Sequence, residues 1–549
     1  MRECSPVLSR CRGVVTVDGV PITVGYWLVA LVPLATLLVL LVWLRWTAAQ
    51  AGAAGFFVAA VLAWLVFRAD FQTLAVATGK GIWDAIFILA VVWPALLLYE
   101  MIERAGAFDV FRDSMESYTK SKLLLVLAFG WVFASFLQGI AGFGAPIAIV
   151  APLLVGIGVR PLMAVVVPLI GHAWANMFGT LAVGWLATIQ VIELDDPTQT
   201  AVVTAVMLWV PNLLSALTIA WLYGRGKALA HAAPVIAVVT LIHGGGQVAL
   251  AAVDPIISNF IPATLALGAI FLLARMGRYQ KEEEFESYIL AEERAEERAE
   301  EAPKFSVHLA MLPYYILIAV SVIALVIPPV NEALEQVQVG PAFPAVETGF
   351  GVEQEAEEAY GEVEPLTHPG LMLLLATAVG YAVFRAKGLY ERGSVRRILA
   401  GTAGNALPAS VAILGFLTLS KLMDNSGMVT VLALGIAEVS PPVVYAFLAN
   451  FIGVLGAFMT SSNTASNILF APLQQQTAVA TALQESTIIG AQSVGGAIGN
   501  AIAPANVVLG TGTAKIVGQE GEVLKYTLPY ALAASVVVGA LTILVFLLL

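Results

Sequence analysis

Apolar stretches of about 20 residues, each enough to cross the hydrocarbon of a bilayer, recur from Trp27 to the end of this 549-residue chain. Only 12% of the residues are charged, about half the share of an ordinary soluble protein. The apolar runs are continuous rather than alternating, which excludes a transmembrane β-barrel. The chain reads as an all-α polytopic membrane protein. Candidate spans cover 27–46, 51–68, 82–102, 161–190, 200–223, 230–250, 255–274, 306–328, 369–386, 397–422, 484–505 and 526–549. Two further apolar stretches, 122–158 and 441–480, do not fit single spans.

The charged loops orient and divide the chain. Residues 275–304 open with Arg275, Arg278 and Lys281 and run into "AEERAEERAEE", which reads as a solvated helical connector. Residues 329–368 carry many Glu and no Lys or Arg, whereas 385–397 hold Arg385, Lys387, Arg392, Arg396 and Arg397. By the positive-inside rule the first and third loops are cytoplasmic and the second is external. The expected organisation is an N-terminal segment 1–26, a transmembrane half 27–274, a charged linker 275–304 and a second half 305–549. The first 25 residues are too polar for a secretory signal, and Arg2, Arg10 and Arg12 leave the side of the N-terminus open. Cys4 and Cys11 precede the first span and suggest neither a disulfide scaffold nor a metal site. The net charge of −11 is concentrated in two loops, and no basic patch points to nucleic acid.

An internal duplication lies within the spans. "LYEMIERAGAFDVFRDSM" (98–115) parallels "LSKLMDNSGMVTVLALGI" (419–436), with Gly106 facing Gly427. Ala151-Pro152-Leu153 faces Ala471-Pro472-Leu473, and an offset that stays at 320 to 321 pairs Gly179 with Gly499 and His172 with Gln492. Five spans separate the copies, so the second enters from the opposite side, an inverted-topology arrangement used by transporters. Segment 122–158 has basic residues at both ends (Lys120, Lys122, Arg160), and 441–480 has none, being bordered by Glu438 and Glu485. Each is expected to be a re-entrant helical hairpin, the first entering from inside and the second from outside. Their tips are "QGIAGFGAP" (138–146) and "TSSNTASN" (460–467).

A hairpin tip leaves backbone groups unpaired, which lipid does not tolerate, so such a tip must be buried in protein or line a wet cavity. Glycine permits a sharp turn and close approach of a ligand, while short hydroxyl and amide side chains can cap a helix or face a solute. Helix N-termini aimed at the gap suit a carboxylate. The substrate-binding candidates are Gly142, Phe143, Gly144 and Ala145 on one tip and Ser462, Asn463, Thr464, Ser466 and Asn467 on the other. Gln138, His172, Asn176, Gln492 and Asn500 are the polar lining and coupling candidates. For "TSSNTASN" the plainer alternative is a cap with interhelical hydrogen bonds. For "GGAIGN" (495–500) it is close helix packing, and for His172 a hydrogen-bonded structural imidazole. His243 reads as structural, and Asp84 and Lys421 as residues near span ends that snorkel.

The stretches "GIWDAIFILAVVWPALLLYEMIERAGAFDVFRDSM", "GIAGFGAPIAIVAPLLVGIGVRPLMAVVVPLI", "SSNTASNILFAPLQQQTA" and "IVGQEGEVLKYTLPYAL" resemble the L-lactate permease family. The resemblance implies a plasma-membrane secondary carrier that imports lactate, and often glycolate, with protons. The "SNT" of the second tip is also similar to sodium/dicarboxylate carriers of the wider ion-transporter superfamily, which implies an elevator motion. The family usually carries an acid where this chain has Gln138 and an Asp where it has Asn463. Coupling would then fall to another group such as His172, or to Na⁺ at Ser462, Asn463 and Thr464. The implied partners are a small organic anion and the lipid bilayer, with a homo-oligomer left open. No cofactor is expected beyond the coupling ion. The other reading of the substrate is a dicarboxylate or gluconate carried with Na⁺. No HExxH, GxSxG, P-loop or metal-spaced Cys/His cluster supports an enzyme.

Overall fold

The computed structural model describes residues 9–11, 14–17, 19–291 and 305–548. Cys4 and nearly all of the Glu/Arg-rich run fall outside these residues. Among them, eleven helices are long and apolar enough to cross a membrane, or thirteen when two bent pairs are each taken as one span. The chain opens with α1 (Val24–Leu38, continuing as a π-helix to Trp43), α2 (Ala48–Leu65) and α3 (Phe71–Arg104). Thr47 and Gln50 form a reciprocal capping box on α2, and Asp70 caps α3 by accepting from Thr73 N–H at 2.7 Å.

A short amphipathic helix α4 (Ala107–Tyr118) leads to the first hairpin, α5 (Lys122–Ile140) and α6 (Ala145–Gly156). The next span is broken into α7 (Pro161–Asn176) and α8 (Gly179–Val191), bent by 49°. Then α9 (Pro197–Ala251) joins two spans through a backbone break at Gly224–Arg225, and α10 (Pro255–Leu273) follows. Beyond the linker come α11 (Leu312–Val326), α12 (Pro328–Leu334) and α13 (Pro369–Ala386).

The second copy repeats the first element by element. Its members are α14 (Ser394–Asn425), α15 (Met428–Val439), the hairpin α16 (Pro442–Thr460) with α17 (Asn463–Ala480), the broken pair α18 (Glu485–Gly499) with α19 (Pro504–Thr513), and α20 (Glu520–Leu548). Gly106 and Gly427 both adopt left-handed backbone, φ 76° and 82°, to turn the long helix into the amphipathic one. Both expected hairpins are present, with breaks at residues 141–144 and 461–462. The long helices start earlier than the hydropathy suggested, at Phe71 rather than 82 and at Ser394 rather than 397.

Contacts between α3 and α14 show how the copies are related. Asp84 meets Lys421, Trp93 donates to Ser410, and Glu100 accepts from Asn405. As one number rises the other falls, so the two helices cross antiparallel. Adding 321 to Asp84 gives Asn405, and adding 321 to Glu100 gives Lys421, so the outer contact and the inner one are the same contact seen twice. A two-fold axis perpendicular to two antiparallel spans lies in the membrane plane, as in inverted repeats.

The offset is not constant, which corrects one expectation. It is 321 along α3 and α14 and 320 at Pro152 and Pro472, but α17 then runs four residues further than α6 before the next helix begins. After that extra turn the offset is 324. A Cβ on Gly171 would lie 1.9 Å from the carbonyl oxygen of Gly130, and one on Gly495 would lie 1.8 Å from that of Asn450, the same close approach in each copy. His172 therefore pairs with Gly496 and Asn176 with Asn500. The His172–Gln492 and Gly179–Gly499 pairings do not hold.

Two loops do more than connect. Glu283, in the linker, accepts from Ser121 Oγ, from the N–H groups of Lys122 and Leu123 and from Tyr223 OH, while Arg160 N–H donates to Ile289 at 2.8 Å. The linker thus pins both ends of the first hairpin. On the opposite side, the acidic loop docks by Gly349 N–H on Arg68 O, Trp83 on Gly361 O and Tyr360 OH on Asp84. Helix α5 is buried along its whole length, whereas little more than a quarter of α1 or α2 is covered. The first hairpin is central, and α1 and α2 face outward.

Candidate functional site

At the first tip Phe143 (φ 55°) and Gly144 (φ 88°) are left-handed, and Pro146 sits in the first turn of α6. Gly142 N–H donates to Thr180 Oγ1 at 2.8 Å, which ties the tip to the break between α7 and α8. That break is itself unusual. Thr180, Leu181 and Ala182 form a left-handed turn, with φ of 51°, 50° and 63°, a conformation costing about 1–2 kcal/mol for each non-glycine residue. Strain of this kind persists where the surroundings hold it, often at functional sites. Gln138 lies beside Gly142 and Gly179, between tip and break. Phe143 is exposed, and the N–H groups of Phe143 and Gly144 have no protein acceptor among the described residues.

At the second tip Ser461 is left-handed (φ 57°), and Ser462 caps α17 by accepting from Ala465 N–H at 3.2 Å. Thr460 Oγ1 donates to the carbonyls of Gly456 and Ser462 and accepts from Ser462 N–H. Ser461 Oγ accepts from Ala505 N–H at 3.2 Å, tying this tip to the start of α19. Leu509 of α19 in turn lies so close to the first tip that a Cβ on Gly144 would be 2.5 Å from it. Asn467 Nδ2 reaches Met177 Sδ at 3.2 Å, in the α7–α8 break. The N-termini of α6, α17 and α19 and the left-handed turn at the start of α8 thus occupy one neighbourhood. Each helix end contributes about half a positive charge and free N–H donors, without a cationic side chain. Lys and Arg are absent between Lys421 and Lys515.

Asn463 is 3% exposed, and among the described residues neither Nδ2 nor Oδ1 has a partner. A buried amide without partners needs an explanation. Thr464, half-buried, adds a hydroxyl beside it. Ser466 and Asn467, by contrast, are committed to structure. Ser466 Oγ donates to Gly453 O at 2.9 Å, and Gln492 Nε2 donates to Ser466 Oγ and Asn467 Oδ1. Gln474 Nε2 donates to Gln492 Oε1 and accepts from Tyr445 OH through its own oxygen, completing a buried chain behind the tip.

The other candidates divide as follows. Asn176 donates to Ala173 O at 2.7 Å, and Asn500 accepts from Asn506 Nδ2; both fix the tight turn that precedes a break. His172 is buried and its Nδ1 is held by Pro168 O of its own helix, the structural alternative rather than a bond to either tip. His243 Nε2 donates to Asn259 Oδ1 at 2.8 Å, and the ring packs on Trp174. Ala145 is buried at the head of α6. Sequence reasoning did not single out Thr180, Met177 or Ser461 as site residues. It also misread Asp84 and Lys421. Both are buried within the bundle and paired at 3.5 Å, so they do not snorkel.

The profile of L-lactate permease matches residues 26–549. The chain belongs to the L-lactate permease family. An L-lactate permease of Halalkalibacterium halodurans is 27% identical over 494 residues, 89% of this chain and 90% of its own. Glycolate permease GlcA of Escherichia coli (strain K12) is 28% identical over 558 residues, 94% and 95% of the two chains. Among solved structures, the YdaH transporter of Alcanivorax borkumensis gives a TM-score of 0.46 at 16% identity over 86% of this chain and 87% of its own, too loose a match to carry the fold described above. This permease is thus a multi-pass transport protein of the cell membrane, not an enzyme.

Proposed function

We propose that this permease imports L-lactate, or a related small 2-hydroxymonocarboxylate such as glycolate, together with a proton. The names of its relatives support the substrate class. The observation that carries the binding site is Asn463, a buried amide with both polar atoms free at a helix N-terminus. The carboxylate would take the N–H groups at Phe143–Gly144 and Asn463–Thr464, and Asn463 and Thr464 side chains would meet the 2-hydroxyl. Helix ends without a cationic side chain suit one negative charge better than two, which favours a monocarboxylate over a dicarboxylate. A sodium site at Ser462–Thr464 loses an expected ligand, because the Ser462 carbonyl already accepts from Thr460 Oγ1 and Ser466 N–H, both at 3.0 Å. The hairpins and broken helices would move together against the α3–α14 crossing, exposing the site alternately.

Uptake of labelled L-lactate into proteoliposomes, with proton and sodium gradients imposed separately, tests this reading. Accumulation driven by the proton gradient alone is expected. Accumulation only with sodium, or no saturable lactate counterflow, would overturn it.

A further inference from the structure

With Gln138 and Asn463 as amides and His172 bonded to its own helix, neither tip offers a carboxylate or a free imidazole for a coupling proton. A buried carboxylate does lie at the outer crossing of α3 and α14. Asp84 is fully buried, its Oδ2 lies 3.5 Å from Lys421 Nζ and accepts from Tyr360 OH at 3.0 Å, and its Oδ1 has no partner among the described residues. The other charges around it are Lys80, one turn earlier and paired with Glu357 at 2.6 Å, and Asp424, which accepts from Gln476 of α17. Burial, partly offset by Lys421, holds the Tyr360 hydroxyl above its ordinary range, so it remains a donor.

This cluster is joined to both halves of the site. Lys421 Nζ donates to Gln190 O at 2.9 Å, in the last turn of α8, the helix that follows the turn holding the first tip through Thr180. Its neighbour Ser420 donates to Ile468 O of α17 at 2.7 Å, one residue past Asn467. The symmetry-related crossing lacks these links. There Glu100 is held by Asn405 at 3.1 Å and by Arg104, whose side chain is 42% exposed.

We propose that Asp84 takes up the coupling proton, with Lys421 as the cation released from it and Tyr360 as its outer cap; this rests on the proton-symport reading above. A proton from the external water binds Oδ1, turning carboxylate into carboxylic acid, with no other bond made or broken. The charge balance then accounts for strict coupling. With the Lys80–Glu357 pair neutral, Asp84, Lys421 and Asp424 sum to one negative charge when the carrier is empty. Protonation shifts that balance by one positive unit in a low-dielectric interior, which is unfavourable unless an anion matches it. One bound monocarboxylate restores the resting charge. Neither proton nor anion alone returns the carrier to the charge with which it reorients when empty. Inside, loss of the anion disfavours the protonated form, and the proton leaves.

The test uses the full chain in proteoliposomes. Under a gradient of two pH units, one proton per anion allows wild type to accumulate L-lactate by up to about 100-fold. D84N is expected to retain L-lactate counterflow while its accumulation ratio falls to about one. E100Q, at the related crossing, should still accumulate. In Y360F, where the carboxylate loses a donor, the pH midpoint of uptake should move upward by roughly half to one unit. Concentrative uptake by D84N would overturn the proposal, and so would an unmoved midpoint in Y360F, a loop substitution that keeps the test open if D84N does not fold. Wild type that exchanges no lactate would overturn the substrate reading and this proposal with it. Wild type and D84N accumulating alike would overturn this proposal alone.

Discussion

The first hairpin ends in Gly142, Phe143 and Gly144 and holds itself by one bond to a strained turn, Gly142 N–H to Thr180. The second ends in Ser461, Ser462 and Asn463 and rests on a buried chain running from Tyr445 through Gln474 and Gln492 to Ser466. Related by the repeat, the tips would divide the work of the proposed anion site. The glycine tip would supply backbone donors at close range, and the amide tip side-chain selectivity on a rigid support. Such a site needs no cation at the ligand, and the proposal above gives the charge balance to a pair elsewhere, Asp84 and Lys421.

The sharpest way to break this division is at Asn463. Asn463→Ala removes the free amide of the second tip, and initial L-lactate uptake should fall by about 10- to 100-fold, the value of one or two hydrogen bonds to a charged group, with membrane expression unchanged. Uptake near wild type would remove Asn463 from the site. On the other tip, Gly144→Val forces a β-branched side chain into a left-handed backbone and against Leu509. That should weaken apparent affinity by about tenfold, and unaltered affinity would discard the glycine tip.

Smaller effects sharpen the register between the copies. Gly171→Ala and Gly495→Ala should each destabilise the purified protein by about 1–3 kcal/mol, because both Cβ atoms meet a carbonyl of the facing hairpin helix. A thermal melt in detergent in which only one of them loses stability would contradict the 324-residue pairing. The smallest difference lies at the starts of the two long helices, where α3 has Asp70 as a cap and α14 has the left-handed Gly393. Hydrogen bonds from Thr73 hold the Asp70 carboxyl below its ordinary range. Its folded-state pKa is depressed, so its contribution is present above about pH 4 and fades as pH falls through the lower folded value. Asp70→Ala should cost a few tenths to about 1 kcal/mol at neutral pH and nothing in strong acid, as read from melts across pH.

Hydropathy and charge made the spans and both hairpins legible, because lipid imposes length and loop chemistry on each segment alone. The tips were legible for the same reason, since a broken helix in a membrane must show glycine or small polar residues. Pairings between distant spans were not. Asp84 looks like a residue near a span end until Lys421 and Tyr360 close around it. The extra turn after Pro472 is equally silent in the sequence, as four apolar or amide residues there read as more helix. Thr180 carried no mark of its left-handed backbone, which the surrounding packing enforces.

One measurement addresses the two-tip site directly. In a Cys4→Ser, Cys11→Ser background, Phe143→Cys and Ser462→Cys place one thiol on each tip. Alkylation rates are then compared with and without saturating L-lactate. The account predicts that L-lactate slows labelling at both positions, with the same concentration dependence. Protection at only one tip, or at neither while lactate counterflow persists, would contradict it.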